Sequence, residues 1–219
     1  YLLSTLSKVK IFSLIYEELK INKKKIILRK GLINHIILVA YSNHFQIPEY
    51  LDNSQLILNK VLCDDIIQME LQNKNYIKVN WDNACFIHIR RGDYLFWPSN
   101  TNPAILNLSW YKKAIERIKK KQKINKFIVF TNDLFYVKDT FGDDKDIIIF
   151  HENPIVDLLV MSKCRHGILS ASSFSWLAAK ISRNRYKNQQ FFLAPKYWAG
   201  HRRKVWYPHE FKFDWINYF

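Results

Sequence analysis

Lys126-Phe-Ile-Val-Phe130 and Asp146-Ile-Ile-Ile-Phe150 are short apolar runs rich in branched and aromatic side chains. Runs of this length without polar alternation read as strands buried on both faces. Working outward, Cys85-Phe-Ile-His-Ile89 precedes them, and His166-Gly-Ile-Leu-Ser170 and Gln190-Phe-Phe-Leu-Ala194 follow. Helical segments lie between. Leu108, Tyr111, Ile115 and Ile118 recur at helical spacing, with Ser109 placed to cap the start. Asn153-Pro154 is an N-cap followed by proline at the first helical position, and Ile155, Leu158 and Leu159 supply the apolar face. Phe174 to Ile181 is a third helix. The alternation predicts an α/β fold: a doubly wound parallel sheet covered by helices, from about Trp81 to about Gly200.

The first 80 residues read differently. Tyr1 to Leu19 reads as a helix, Lys25 to Leu28 and Ile36 to Val39 as strands, and Asp52 to Gln72 as a helix. A boundary near Asn80 divides a partial N-terminal domain, residues 1–80, from a C-terminal domain, residues 81–219. Lys23 to Lys25 and Lys119 to Lys123 are expected at helix ends, where cations oppose the dipole.

The 219 residues are 48% hydrophobic and 16% aromatic, which excludes a disordered or fibrous chain. No apolar run reaches the length of a membrane span. The start has neither initiator Met nor charged leader, so a fragment is expected. Cys63, Cys85 and Cys164 are too scattered for a zinc site or disulfide framework, which suits a reducing compartment. The net charge of +15 favours an acidic partner: nucleic acid, an anionic membrane or a phosphorylated substrate.

In a parallel α/β sheet, ligands bind beyond the carboxyl ends of the strands. There the sequence places His88-Ile-Arg90-Arg91-Gly92-Asp93, Thr131-Asn132-Asp133, His151-Glu152-Asn153 and Ser170-Ala-Ser172-Ser173-Phe174-Ser175. Arg90 and Arg91 have the planar fork that grips phosphate oxygens, or pair with Asp93. Ser172 and Ser173 open a helix, where free N–H groups and the dipole attract an anion; simple N-capping needs only one of them. Asp157, at a helix start, either stabilises the dipole or accepts from a guanine. His88 reads as a strand-end residue. Tyr197, Trp198, Trp206, Tyr207 and Trp215 could stack on a sugar, although core packing fits them as well. Arg91-Gly-Asp93 also matches the cell-adhesion tripeptide, but at a cleft mouth rather than a projecting loop. No P-loop, GxGxxG, HExxH or paired zinc motif occurs, and no DxD follows a strand, so no metal and no cofactor are expected.

These residues resemble the bacterial branch of the inverting α-1,2-fucosyltransferases, glycosyltransferase family 11. His88-Ile-Arg-Arg-Gly-Asp-Tyr94 is similar to the family's HxRRGDY stretch. Trp110 to Ile115, Phe130-Thr-Asn-Asp133, Asp157 to His166 followed by Ser172-Ser-Phe-Ser-Trp176, and Ala194-Pro-Lys-Tyr-Trp198 resemble further family blocks, in order, over roughly Phe45 to Trp215. The family's glycine-rich opening has no counterpart in Tyr1 to Ala40; Ala171 stands where Asn is usual, and Leu177 where a second Trp is common.

The resemblance implies a GT-B-type fold with a C-terminal GDP-sugar-binding domain and an incomplete N-terminal Rossmann-like, acceptor-side domain. It implies GDP-β-L-fucose as donor, inversion, and a galactoside-containing oligosaccharide acceptor. Arg90 is the expected phosphate contact and Asp93 its orienting partner, as the catalytic pair. His88, Arg91, Asp157, Ser172, Ser173 and Phe174 are the expected donor-binding residues. The missing opening also allows a non-catalytic remnant that only binds the donor. A nucleic-acid-binding α/β module rests on net charge alone, and no nucleic-acid partner is expected. The Ile-, Lys- and Asn-heavy composition suggests an AT-rich bacterial genome. A cytoplasmic protein, peripheral on the anionic inner membrane and acting on surface-polysaccharide intermediates, is expected.

Overall fold

The apolar runs become the strands of one parallel sheet. The computed structural model describes residues 79–187, 189–209 and 211–219 in full, with the backbone of three strands nearer the N-terminus. By backbone contacts the chain divides into two units, Tyr1–Asn53 and Ser54–Phe219. The boundary expected near Asn80 adjoins residues 40–78, which lie outside the described residues, as does the helix expected over Asp52 to Gln72.

In the first unit, β1 (Phe12–Lys20) pairs antiparallel with β2 (Lys23–Arg29) and parallel with β3 (Ile33–Val39). The two expected strands fall inside β2 and β3. Two expectations are corrected. Residues 12–19, read as helix, are strand. Leu14, Ile15 and Leu19 suit a helical face, but the ladder decides: Leu14 pairs with Arg29 on one side and Leu38 on the other. Lys23 to Lys25 open a strand, not a helix end.

In the second unit, β4 (Ala84–Ile89), β5 (Lys126–Thr131), β6 (Ile147–Phe150), β7 (His166–Ile168), β8 (Phe192–Ala194) and β9 (Asn217–Tyr218) form a parallel sheet in the order β6-β5-β4-β7-β8-β9. This is the doubly wound order of the dinucleotide-binding folds, with chain order reversing between β4 and β7. The sheet runs past the expected limit at Gly200 to take in β9.

Helices α1 (Leu108–Lys121), α2 (Leu134–Phe141), α3 (Pro154–Lys163) and α4 (Ser173–Tyr186) connect the strands. Cys85, Ile87 and Ile89 of β4 share one core with Tyr111, Ala114 and Ile118 of α1 and Val137 and Phe141 of α2. Alternate residues of β4 face the other way. There Phe86 meets Phe192, His88 meets Phe174 of α4, and α3 packs on α4. Each fully buried large side chain contributes about 1.5–3 kcal/mol. Gly167 lets β7 approach β4, since a Cβ there would come within 2.3 Å of the Phe86 ring.

Asn153 caps α3 with Pro154 in the first turn, as the sequence predicts. The cap of α1 is Asn107, not Ser109: Asn107 Oδ1 accepts from Trp110 N at 2.9 Å, and Ser109 Oγ donates to the same oxygen at 2.8 Å. Lys119 to Lys121 occupy the last turn of α1. No helix among the described residues is long and apolar enough to cross a membrane.

Candidate functional site

The reversal of chain order leaves a crevice beyond the carboxyl ends of β4 and β7. Two loops meet there, Arg90 to Asn107 after β4 and Leu169 to Ser172 after β7. Their joint is made by side chains. His88 Nδ1 lies 2.7 Å from Ser170 Oγ, and Tyr94 O–H donates to the Ala171 carbonyl at 2.8 Å. That second bond uses only the backbone of residue 171, so alanine serves there. Burial and the Arg90 charge hold His88 down to about 3, so its ring is neutral at physiological pH. Burial pushes the Tyr94 phenol up to about 12 and keeps it a donor.

The two arginines have different roles. Arg91 is tied down. Its Nε donates to Asp133 Oδ2 at 2.9 Å, its guanidinium lies 3.7 Å from the Tyr136 ring centroid, and its backbone N–H donates to Asn132 Oδ1 at 2.8 Å. Asp133 also caps α2 through its other carboxylate oxygen. Arg90 reaches outward. Its guanidinium, 36% exposed, contacts Asp93 at 2.8 Å and sits 5.6 Å from the Tyr94 ring centroid. Gly92 between them has φ +59°, a left-handed conformation that favours glycine.

The serine cluster divides in the same way. Ser170 holds His88. Ser172 is the N-cap of α4, its Oγ accepting from Phe174 N at 3.3 Å. Ser175 is fully buried and donates back to the carbonyls of Ser170 and Ser172. Ser173 is exposed at the first turn of α4. The hydroxyl of Ser173 and the free N–H groups of that turn can therefore receive an anion. Phe174 is half-buried against His88, with ring centroids 5.5 Å apart.

Asp157 stands in the first turn of α3, the helix that follows β6. Its carboxylate accepts the Glu152 N–H at 3.0 Å, and burial raises its pKa. The structure thus brings His88, Arg90, Asp93, Ser172, Ser173 and Phe174 to the β4/β7 crevice, turns Arg91 toward the loop after β5, and places Asp157 in the first turn of the helix that follows β6. Sequence reading missed Tyr94, Asn132, Asp133 and Tyr136 as the residues that set the loop. Asp133, three residues before a helical tyrosine, was a readable cap signal.

Residues 26–218 match the family described as Glycosyl transferase family 11. The chain belongs to glycosyl transferase family 11. The family expected from the sequence is thereby shown, and the match extends into β2 and β3. Among similar proteins, the O-antigen biosynthesis glycosyltransferase WbnK of Escherichia coli is 30% identical over 171 residues, covering 73% of this chain and 49% of WbnK. Galactoside alpha-(1,2)-fucosyltransferase 1 of Saimiri boliviensis boliviensis is 22% identical over 102 residues, covering 44% of this chain and 28% of the enzyme. The chain spans half or less of the length of these relatives. A solved structure of POFUT1 in complex with GDP overlays with a TM-score of 0.42 at 10% identity, covering 73% of this chain and 55% of that one.

Proposed function

We propose that this chain carries the donor site of an inverting glycosyltransferase. It moves L-fucose from GDP-β-L-fucose to the 2-hydroxyl of a galactoside in a surface polysaccharide or glycan. The observation that carries the reading is the half-exposed Arg90 guanidinium, oriented by Asp93 at 2.8 Å, at the mouth of the β4/β7 crevice. Across the same crevice, α4 opens with an exposed Ser173. The family and the names of the relatives, an O-antigen glycosyltransferase and a galactoside α-(1,2)-fucosyltransferase, support the choice of sugar and acceptor.

The acceptor hydroxyl attacks the anomeric carbon from the face opposite GDP. The new C–O bond forms as the bond to the β-phosphate breaks, and the hydroxyl proton is released to solvent; attack from the opposite face turns a β-linked donor into an α-linked product. Charge grows on the departing diphosphate. Arg90 and the α4 N-terminus meet that charge with donors fixed before the reaction starts. These groups supply the positive potential, so the proposal includes no metal. Asp93 holds the Arg90 fork in place. Asp157, with one carboxylate oxygen on the Glu152 N–H, is the candidate partner of the guanine edge. The net charge of +15 suits work at an anionic membrane surface.

Release of GDP from GDP-fucose by the full-length protein, with lactose as acceptor, tests the proposal. Release that depends on acceptor and is lost in Arg90→Ala is expected. Equal release from a UDP-sugar, or full activity of Arg90→Ala, contradicts it.

A further inference from the structure

The aromatic side chains of the loops that follow β4 and β8 separate by exposure. Trp198 and Phe211 are buried and pack together, ring centroids 4.7 Å apart. Tyr207 and Trp97 are 45% and 37% exposed, yet their rings lie 5.9 Å from one another. Beside them a pocket of about 300 Å³ opens between the two loops. Its lining combines the apolar faces of Pro98, Trp206 and Tyr207 with the polar groups of Asn102, Arg203 and His209. Its volume is at the low end of small-molecule sites. A neutral sugar ring matches that chemistry: its C–H face rests on an aromatic ring, while amide, guanidinium and imidazole groups take its hydroxyls.

The loop after β8 is held in shape. Tyr197, Trp198 and Lys204 have φ of 68°, 54° and 55°, left-handed backbone that non-glycine residues keep only where their surroundings impose it. Ala199 N–H donates to the Tyr207 carbonyl and Tyr207 N–H to the Tyr197 carbonyl, at 3.2 and 3.3 Å. Gly200 lies so close to the Val205 carbonyl that no Cβ fits. Strain of this kind gathers at binding sites.

The pocket is joined to the donor crevice by Tyr94. Its hydroxyl is bonded to Ala171, beside the α4 cap, and its ring lies 5.0 Å from Trp97, which in turn backs Tyr207. We infer that the pocket holds a pyranose ring of the acceptor glycan, its apolar face on Tyr207 and its hydroxyls on Asn102, Arg203 and His209. The inference rests on the glycosyltransferase reading above, and it locates the acceptor on the same edge of the sheet as the donor.

Saturation-transfer NMR with lactose as the probe, beside a GDP titration of the same samples, tests it. Saturation of the galactose ring protons is expected. Lactose affinity should fall about threefold to tenfold in Tyr207→Ala and be kept in Tyr207→Phe, with GDP affinity unchanged in both. A lactose signal that survives unweakened in both Tyr207→Ala and Trp97→Ala overturns the assignment, as does its absence from the wild type. If GDP still binds in those cases, the donor reading stands. Tyr207-dependent lactose binding without GDP binding has the opposite meaning: the pocket stands and the donor reading falls. Loss of retention on anionic phospholipid vesicles in the variants, with no lactose signal in the wild type, makes this face a membrane contact and ends the inference.

Discussion

His88 Nδ1 and Ser170 Oγ, 82 positions apart in sequence, meet at 2.7 Å and tie the carboxyl end of β4 to the loop after β7. The bond spans the two strands between which chain order reverses. It lies beneath the crevice beside which Arg90 and Ser173 are exposed. Because His88 is held down to about 3, the bond does not titrate near neutrality.

Acid should weaken the fold through buried histidines. His88 is held down to about 3 and His166 to about 4, mainly by burial, whereas an unfolded histidine titrates near 6.5. Between those values the unfolded chain binds more protons than the folded one. Stability therefore rises with pH through this window and is lost on acidification, by about 1.4 kcal/mol per pH unit for each histidine. Thermal melts from about pH 7.5 to about pH 4 should show a falling Tm, with a shallower slope in His88→Gln. An unchanged slope in that variant contradicts the assignment.

The neighbouring arginines should separate stability from binding. Arg91, held by Asp133 and Tyr136, is part of the loop's frame, and Arg91→Ala should cost about 1–3 kcal/mol. Arg90 has one exposed ion pair, and Arg90→Ala should cost under about 1 kcal/mol. Urea melts of the two variants measure the difference. Equal losses would mean that Arg90 is structural as well.

Gly92→Ala should damage the site without touching a ligand-facing side chain. The position has φ +59°, and a Cβ there would come within 2.8 Å of Asn132 Nδ2. Left-handed backbone costs an alanine about 1–2 kcal/mol. The displaced loop carries Arg90 and Asp93 on either side. Lower stability in urea together with weaker GDP binding is expected; unchanged binding would detach the loop's shape from its function.

Arg90→Lys should not rescue Arg90→Ala. A lysine keeps the charge but loses the planar fork that grips two phosphate oxygens. Transfer by either variant of the full-length protein should fall by about two to three orders of magnitude. Near-normal transfer by the lysine variant would reduce Arg90 to a point charge.

The central strands were legible because each is a short apolar run between turn and cap residues, as in Lys126 to Phe130. β9 was not: Asn217 and Tyr218 have no pattern, and only the partner Leu193-Ala194 makes them strand. α2 was missed because its eight residues are too short to show a repeat, with only Val137 and Phe141 as buried positions. The segment from Phe12 fits both helix and strand, and its pairing partners settle it. In the site, the motif residues were legible but their division of labour was not. Whether Arg90 or Arg91 reaches outward depends on Asp133 and Tyr136, which the segment after β5 delivers. Which serine faces outward depends on where α4 begins.

Calorimetric titration of GDP against UDP, on the wild type and Arg90→Ala, tests the central claim most directly. The account predicts selective GDP binding that weakens about tenfold to hundredfold in the variant, as expected for a lost charge-assisted contact. GDP and UDP binding equally, or GDP binding unchanged in Arg90→Ala, would contradict it.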